Sequence, residues 1–555
     1  MRSTTSRAVT ALVAAITLAV AGCSSDKSDD AAKNEVSADG KVVIDVFAPQ
    51  GADDNLETNN VTKLISDKFK IQFRWQTTTY DAGPAKEKRQ IALASGDYPD
   101  LFMLIPWVDG ITQAEVQKLG TQGVALPIES LIKDNAPNIQ KALDSNKTLK
   151  EMSTAPDGHI YALPQWSDCF HCTYPDKLWI NSAWLKKLGL QMPKTTEDLR
   201  TVLRAFKTQD PNGNGKADEI PMTTDVQDSS LMGFLMNAFA YNPVGGNSNR
   251  SLLALDGDKV VTPVNSAAWK EGLKYINSLY QEGLIDKASF TQNAEALKAT
   301  GNNPKAVVVG SVPVLWPGIF VQLGSKDGRD KQYDAVPPLT GPEGKSYTGY
   351  NYPSSTGYTF MLTSKASKEA QVAAIKMLDY IYSDEGRKVS VMGPEGVGWS
   401  KPRAGDIALD DKTKVGYYRF SESEHKKNIS WDAMAQYNIT LAYRNEQAVP
   451  ADIYSDKGLE RRLFQATKQY EGHEDKAQWF PQTSVWVDPS LSSELATLQT
   501  NLNSYVTQNQ LAFITGTKDL DAGWDAYVKG LDSTGMTRYL ELEQQAYDKY
   551  KAGNK

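Results

Sequence analysis

Cysteine is scarce in this sequence, with three among 555 residues. Two of them, Cys169 and Cys172, enclose the motif "CFHC". In an exported protein such a pair predicts a disulfide, which stabilises by only about 2 kcal/mol because the closed loop is short. A thioredoxin-like redox site would need the first cysteine at the start of a helix in a βαβ unit, and the nearby Pro175 disfavours that reading.

Zinc-binding and catalytic motifs are also lacking. A zinc site at the cysteine pair would need further ligands, and no metal-ligand spacing is found at His159, His425 or His473. The chain has no G-x-S-x-G, no H-E-x-x-H and no phosphate-binding loop. Its net charge of −7 becomes −9 once the leader with Arg2 and Arg7 is removed, which disfavours a nucleic-acid partner.

The long apolar run lies at the N-terminus. Residues 1–22 carry two arginines and then "AVTALVAAITLAVAG", which is too short and too rich in alanine for a membrane span and predicts an export signal. Its end, "VAGC", resembles the lipobox of bacterial lipoproteins, in which the cysteine, here Cys23, is acylated; an ordinary cleaved signal peptide is the alternative. Residues 23–40 predict a flexible tether. The expected location is therefore the extracellular face of the cell membrane, with the protein lipid-anchored.

The body of the chain begins near Lys41 with an alternation of strands and helices. The runs "KVVIDVFAP", "KIQFRWQTT" and "DLFMLI" predict strands, and "VTKLISDKF" and "AKEKRQIALASG" predict the helices between them. This spacing predicts a parallel sheet with helices on its faces, an α/β architecture. Farther on, "MPKTTEDLRTVLRAFK" predicts an amphipathic helix with Thr195 as its N-cap.

That helix leads into an oxygen-rich loop, "DPNGNGKADEIP". Asp, Asn and Glu side chains on so short a loop are the ligands that calcium prefers, since it takes roughly six to eight oxygens. The alternative is an Asx-rich turn without metal, because Asn, Asp and Gly form turns unaided. The loop follows the EF-hand pattern as far as Gly215, but its twelfth position is Pro221 where an EF-hand has glutamate.

Four segments of the chain resemble the large extracellular solute-binding proteins of carbohydrate ABC importers, including those that bind alginate and other oligosaccharides. They are "IALASGDYPDLF", "LWINSAWLKKLGLQMPKTTEDLRTVLRAFKTQDPNGNGKADEIP", "YSDEGRKVSVMGPEGVGW" and "FITGTKDLDAGWDAYVKGLDSTGMTRYLELEQQAYDKY". The resemblance implies a two-lobed, type II periplasmic-binding-protein-like fold. Each lobe would be a sheet flanked by helices, with a ligand cleft between the lobes.

The resemblance also implies where the chain crosses between the lobes. The N-terminal lobe is expected to contain residues 41–163 and 352–398. The C-terminal lobe is expected to contain residues 164–351 and 399–555, including the calcium loop 210–219. In the family the loop closes early, so the implied ligands of a structural Ca²⁺ are Asp210, Asn212, Asn214, the main-chain oxygen of Lys216, Asp218 and Glu219.

Sugar contacts are expected near these crossings and near strand ends. A pyranose face stacks on Trp and Tyr, while its hydroxyls need acceptors and donors at the ring edges. Residues that follow the strand "DLFMLI" lie where a parallel sheet opens its ligand crevice. The candidates are Trp107, Asp109, Gln165, Trp166, Asp168, Trp316, Tyr350, Tyr352, Glu395 and Trp399.

The predicted function is capture of an oligosaccharide by a monomeric substrate-binding lipoprotein that delivers it to the permease subunits of an ABC transporter, without chemistry. Two alternatives stay open on sequence alone. A secreted glycoside hydrolase or lyase also places carboxylates beside aromatic rings. A calcium-dependent surface adhesion protein would share the leader and the calcium loop.

Overall fold

The computed structural model describes residues 35–243, 252–353, 357–420, 427–455 and 457–553. The predicted signal, Cys23 and most of the predicted tether lie outside these residues. Within the described ranges, no helix has the length and the apolar character needed to cross a membrane.

The strands are short apart from the first two. In chain order they are β1 (Val42–Pro49), β2 (Ile71–Thr78), β3 (Leu101–Met103), β4 (Leu163–Pro164), β5 (Trp166–Ser167), β6 (Leu178–Asn181), β7 (Ala254–Asp256), β8 (Lys259–Val261), β9 (Ser311–Pro313), β10 (Tyr333–Val336), β11 (Tyr358–Leu362), β12 (Trp399–Ser400), β13 (Tyr418–Arg419) and β14 (Asn438–Ile439).

Helices make up most of the remaining regular structure. In chain order they are α1 (Asn60–Phe69), α2 (Ala82–Ser95), α3 (Pro106–Asp109), α4 (Gln113–Thr121), α5 (Glu129–Asn135), α6 (Pro137–Ser145), α7 (Lys147–Ser153), α8 (Phe170–Thr173), α9 (Ser182–Leu188), α10 (Thr196–Thr208), α11 (Leu231–Met236), α12 (Ala267–Gln281), α13 (Ala294–Gly301), α14 (Lys368–Tyr382), α15 (Asp384–Met392), α16 (Leu441–Asn445), α17 (Leu459–Lys468), α18 (Ser492–Thr515), α19 (Leu520–Thr534) and α20 (Met536–Gly553).

A five-stranded sheet in the order β2-β1-β3-β11-β4 forms the centre of the first lobe. β1 pairs in parallel with β2 and with β3, so the parallel sheet predicted from the sequence is confirmed. β11 returns much later in the chain and is antiparallel to β3 and β4. Alternate side chains of β1 enter different cores: Ile44 and Val46 pack on one face, and Phe47 packs on the other.

The second lobe has its own core, built around the antiparallel sheet β10-β6-β9. The helix predicted before the oxygen-rich loop is α10, where Thr195 accepts from the Asp198 N–H and Asp198 bonds back to Thr195. This reciprocal cap fixes the start of the helix. The C-terminal helices α18, α19 and α20 complete this core, and α18 packs on α12.

The position of the last crossing differs from the sequence-based boundary near Trp399. Trp399, Trp431 and Tyr443 all pack in the core of the first lobe, and Leu463 is the next fully packed residue of the second core. The crossing therefore lies between Tyr443 and Leu459, where partly buried contacts with the second core begin. Composition did not reveal this because the described residues of the ranges 399–420 and 427–443 are mostly irregular in structure and the sequence there shows no change in periodicity.

The two lobes also touch at a second place, around Trp486. The indole Nε1 of Trp486 donates to the main-chain oxygen of Glu151 at 3.1 Å, and its ring lies 6.0 Å from that of Tyr358. Nearby, Gln113 donates to the main-chain oxygen of Thr483 at 2.6 Å. A segment of the second lobe is thus attached to helices α4 and α7 of the first.

Candidate functional site

The chain passes between the lobes along three segments that are bonded to one another. The first crossing contains β5, which pairs in parallel with β14, a strand of the first lobe that lies just before the third crossing. The Trp166 N–H donates to Tyr437 O at 3.0 Å and the Asp168 N–H donates to Ile439 O at 2.8 Å. The second crossing joins them where the Asn351 N–H donates to Thr173 O at 2.8 Å. All three segments therefore meet at one junction.

Five aromatic rings form a continuous row at this junction, which we call the aromatic ladder. Its members are Trp166, Tyr352, Tyr350, Tyr174 and Trp479. Tyr352 lies between Trp166, at 6.0 Å edge-on, and Tyr350, stacked at 6.1 Å. Tyr350 continues to Tyr174 and to Trp479, each at 5.6 Å. Because Tyr352 packs with the first core and Tyr350 with the second, the ladder spans both lobes.

Carboxylates flank the ladder. Asp168 accepts from the Leu441 N–H at 3.0 Å through Oδ2, and its Oδ1 is buried without a hydrogen-bond partner in the described chain. Burial raises the pKa of Asp168. Burial also raises the pKa of Tyr350, to about 12, with smaller contributions from the neighbouring Tyr352 and Glu474. Glu474 is paired with Lys476 at 3.3 Å, and the Lys476 Nζ lies 5.5 Å from the Tyr350 ring. The faces of the ladder rings therefore lie next to charged side chains.

The structure brings together four of the predicted sugar contacts, namely Trp166, Asp168, Tyr350 and Tyr352. Trp166 is fully buried, so its ring belongs to the core that supports the ladder. Gln165 is also buried, and its amide donates to the main-chain oxygens of Ala433 and Ala435. Its amide is therefore used to hold the start of the first crossing against residues 433–435 of the first lobe.

Asp109 is placed differently from its prediction as a sugar contact. It is buried with Arg89, which donates to both carboxylate oxygens, at 2.8 and 3.0 Å. Both side chains are 1% exposed. The carboxylate that the sequence suggested for sugar hydroxyls is therefore committed to an ion pair between α2 and α3. The sequence offered no sign of this, because Arg89 and Asp109 are 20 positions apart.

Three other candidates are not joined to the ladder by any recorded ring contact. Trp107 is 65% exposed on α3, and Glu395 is exposed in the turn before β12. Trp399 is buried in the first core, with Lys388 Nζ lying 5.3 Å from the centre of its ring. This correction follows from the shifted third crossing, since Trp399 was chosen for lying near one.

Trp316 lies at the edge of the second sheet, where it follows β9 and is partly buried. The sequence missed its neighbours on this edge. Thr224 donates to Pro313 O at 3.3 Å, so the following Asp225 lies beside the end of β9. Asp225 is fully buried and its Oδ2 has no hydrogen-bond partner among the described residues.

Sequence reasoning missed two ladder residues, Tyr174 and Trp479, and the flanking Glu474. Tyr174 lies two residues after Cys172, and a count from the predicted first crossing could have included it. Trp479 and Glu474 come from a distant segment whose sequence gives no periodic signal. Only folding places them beside Tyr350.

The oxygen-rich loop is wrapped around Asp210. One carboxylate oxygen of Asp210 accepts from the N–H groups of Gly213 and Asn214, and the other accepts from Gly215 at 3.0 Å. Asp218 is bonded to the amides of Asn212 and Asn214. Glu219 Oε1 is buried with no hydrogen-bond partner in the described chain. The pKa of Glu219 is raised mainly by burial and also by the negative charges of Asp210 and Asp218. A hard cation bound here would compensate this negative charge.

The cysteine pair is joined by a disulfide, Cys169 to Cys172, within the first crossing. The possible metal-ligand atoms of Cys169, His171 and Cys172 lie within 4.8 Å of one another. Among the described residues, no other group of three or more His, Cys, Asp or Glu side chains is placed so closely. Burial lowers the pKa of His171 to about 4. The sulfur atoms are bonded to each other, so they are not available as thiolate ligands.

A surface cavity of about 570 Å³ lies on the second lobe and is lined by α10, α12 and residues 340–342. No ladder residue lines it. Its cations are already paired, Arg200 with Glu282 and Lys274 with Asp521 at 3.0 Å. The ladder therefore remains the stronger candidate for the functional site.

Comparison with known proteins identifies three curated relatives, one of which is the polygalacturonan/rhamnogalacturonan-binding protein YtcQ of Bacillus subtilis, 22% identical over 471 residues, covering 79% of this chain and 88% of YtcQ. The chain is 30% identical over 483 residues to the fructooligosaccharide ABC transporter substrate-binding protein FusA of Streptococcus pneumoniae, covering 84% of this chain and 83% of FusA. It is 24% identical over 552 residues to lipoprotein LipO of Bacillus subtilis, covering 96% of each. No family model matches the chain.

Solved structures agree with this relationship. FusA in complex with kestose superposes with a TM-score of 0.71 at 25% identity, over 92% of this chain and 100% of that one. An extracellular solute-binding protein from Bifidobacterium longum subsp. infantis gives a TM-score of 0.76 at 24% identity, over 93% and 100% of the two chains. The two-lobed fold inferred from the sequence is thereby confirmed.

We predict that replacing Arg89 by alanine destabilises the protein by about 3–5 kcal/mol, because it leaves the Asp109 carboxylate buried without a partner. Denaturant unfolding measures the effect. The Arg89→Met, Asp109→Leu double variant, which removes both charges, should recover much of the loss. An Arg89→Ala protein with an unchanged unfolding midpoint would show that Asp109 does not depend on this ion pair, and Asp109 would again be a candidate ligand contact.

Proposed function

This chain belongs to the family of substrate-binding proteins of ABC transporters, and from this premise we propose that it captures an oligosaccharide at the aromatic ladder and delivers it to a membrane permease. The observation that carries the proposal is the ladder itself, which joins the two lobes at their crossings. FusA is a fructooligosaccharide-binding protein and has been solved with kestose. These relatives are binding proteins, which disfavours the alternatives of a glycosidase or an adhesion protein.

The chemistry of the ladder suits a sugar. Half-buried rings such as Tyr350 and Tyr352 offer apolar faces for the C–H groups of a pyranose or furanose. Asp168 offers a carboxylate oxygen, the buried Oδ1, as an acceptor for a hydroxyl. A hydroxyl that enters this place would satisfy a buried polar atom, which is favourable because unpaired buried acceptors cost free energy.

The charges beside the ladder favour a neutral sugar over an acidic one. Asp168 and Glu474 are acidic, and the nearby cation Lys476 is already paired with Glu474. A uronate would place a further negative charge beside the carboxylates of Asp168 and Glu474. We therefore expect kestose and nystose to bind more tightly than oligogalacturonides of the same length.

Calorimetric titration with kestose, nystose and trigalacturonate tests the proposal, with product analysis after long incubation. Binding of a neutral member without new products supports a binding protein. Appearance of shorter sugars would establish an enzyme instead, and binding of no member would reject the proposed ligand class.

We predict that Tyr350→Ala lowers affinity for the bound sugar roughly tenfold to a hundredfold, because lost burial of one ring is worth about 1.5–3 kcal/mol. Tyr280→Ala is the matched control, since Tyr280 is also partly buried against the second core and has an aromatic neighbour at 5.7 Å. It should leave the affinity unchanged. Equal losses in the two variants would mean that Tyr350 acts only through stability.

Alanine variants of Trp166 and Trp316 distinguish a tryptophan of the hydrophobic core from one that contacts the ligand. Trp166 is 0% exposed, so Trp166→Ala should lower the free energy of unfolding by about 3–5 kcal/mol. Trp316 is partly buried at the sheet edge, and Trp316→Ala should lower sugar affinity more than stability. Thermal melting without ligand and titration with ligand distinguish the two effects.

The oxygen-rich loop is proposed to hold one structural Ca²⁺. Asp210, Asn212, Asn214, Asp218, Glu219 and the main-chain oxygen of Lys216 would hold it. A structure of FusA is described as an EF-hand mutant, so such a loop exists in that relative. The donors fit because they are hard oxygens and because Glu219 Oε1 is buried without a partner in the described chain. The ion would tie the loop to the end of α10.

We predict that chelation lowers the melting temperature, because an ion bound only by the native state stabilises by about 2.7 kcal/mol at a hundredfold excess over Kd. The Asp210→Ala, Asp218→Ala variant should lose this response and keep most of its sugar affinity. Asp256→Ala, Asp258→Ala, which removes two exposed acids elsewhere on the second lobe, should keep it. An unchanged wild-type melting curve after chelation would reject the calcium site.

Anchoring through Cys23 is proposed for the outer face of the membrane. The lipobox-like "VAGC" supports it, and LipO of Bacillus subtilis is itself a lipoprotein. Cys23→Ala should release the protein from the membrane fraction, and a variant that stays with the membrane would place the anchor elsewhere.

A further inference from the structure

The disulfide closes one helical turn in the middle of the first crossing. Phe170–Thr173 form α8, and the N–H groups of Cys172 and Thr173 both donate to Cys169 O, at 3.0 and 2.9 Å. A helix of four residues is not stable by itself, because nucleation fixes several residues for a single hydrogen bond. The shape of this turn therefore depends on what holds it from outside.

On one side the turn is attached to the first lobe and the third crossing. Asp168, directly before Cys169, is bonded through its N–H to Ile439 and through Oδ2 to the Leu441 N–H. The neighbouring Ser167 Oγ accepts from Arg444 at 2.8 Å. The N-terminal end of the turn thus carries the one ladder carboxylate of the first crossing, held in place by residues 439–444.

On the other side the turn is attached to the second lobe. The Lys177 ammonium, which is fully buried, donates to His171 O at 2.9 Å and to Tyr174 O, and lies 5.4 Å from the Tyr470 ring. The Phe170 ring lies 5.3 Å from Phe464 of α17. The turn therefore rests on the core of the second lobe.

The second crossing is attached to the same turn. Thr173 O accepts from the Asn351 N–H, and Tyr174, the next residue, contacts the Tyr350 ring. The turn thus separates Asp168 on its N-terminal side from Tyr174 and Tyr350 on its C-terminal side. Its four residues set the distance between the two halves of the ladder.

We propose that the Cys169–Cys172 disulfide is a positioning element for ligand binding, which holds the α8 turn so that Asp168 and the Tyr174–Tyr350 pair face one sugar at the correct separation. The inference rests on the proposed function at the ladder. It assigns the cysteine pair a role in affinity, beyond the small stabilisation expected of so short a loop. Both lobes have separate cores that do not contain the cysteine side chains, so they remain folded without the bond.

The experiment uses the full mature chain and the Cys169→Ser, Cys172→Ser double variant. Hydrogen exchange in the absence of ligand measures the exchange rates of the N–H groups of Asn351 and Leu441, which donate to the two ends of the turn. The Ile44 N–H in the first-lobe core is the internal control. We expect at least tenfold faster exchange at Asn351 and Leu441 in the variant and an unchanged rate at Ile44.

Kestose titration and dissociation kinetics form the second arm. We expect affinity for kestose to fall at least fivefold in the variant, mainly through faster dissociation, while its unfolding transition stays cooperative. The wild type treated with a water-soluble phosphine, which takes up one oxygen from water and leaves two thiols, should behave like the variant. Reoxidation should restore the wild type, and phosphine should not affect the variant, so this comparison holds even if the variant folds poorly.

Each outcome decides a separate question. Unchanged exchange at Asn351 and Leu441 overturns the inference, because the turn would then not depend on the disulfide. Faster exchange with unchanged kestose affinity also overturns it, since the bond would be structural only. If the wild type does not bind kestose, the proposed ligand fails, and the same kinetic comparison is made with whichever sugar the titration panel identifies. If no panel sugar binds, both proposals fail.

Discussion

The constraint on which the rest of the structure depends is that one chain passes three times between two separately packed cores. Each core buries its own apolar residues, so the lobes can move as bodies only where the crossings allow it. The first crossing is bonded to the second through Thr173 and Asn351, and to the segment that leads into the third through β5 and β14. The crossings thus share one junction, and the attachment at Trp486 provides a second point of contact between the lobes.

The placement of the aromatic ladder follows from this arrangement. Rings that lie at the crossings are supported by both cores, and Trp166 illustrates the support, since it is fully buried behind Tyr352. Tyr350 and Tyr352 are only partly buried and retain some exposed ring surface. A ligand that covers this surface contacts both lobes, and it therefore favours the arrangement in which the lobes are closed.

Periodic elements were predictable from the sequence, and non-local pairings were not. The strands β1 and β2, their parallel pairing and the Thr195 cap on α10 follow from local patterns. The Arg89–Asp109 ion pair, the position of Trp479 beside Tyr350 and the third crossing after Tyr443 depend on contacts between distant segments. Asp109 and Trp399 were chosen by position along the chain, which cannot distinguish a cleft residue from one buried a few ångströms behind the cleft. Family resemblance predicted the two lobes but not the partners of individual side chains.

The central claim is that one oligosaccharide contacts both lobes at the ladder and thereby closes them. Small-angle scattering of the mature protein, with and without a saturating concentration of the sugar identified by titration, measures this directly. The account predicts a smaller radius of gyration for the wild type with ligand. At a sugar concentration that saturates the wild type but leaves the site of Tyr350→Ala largely empty, the variant should show no such decrease. Tight binding with an unchanged radius of gyration in the wild type would contradict it.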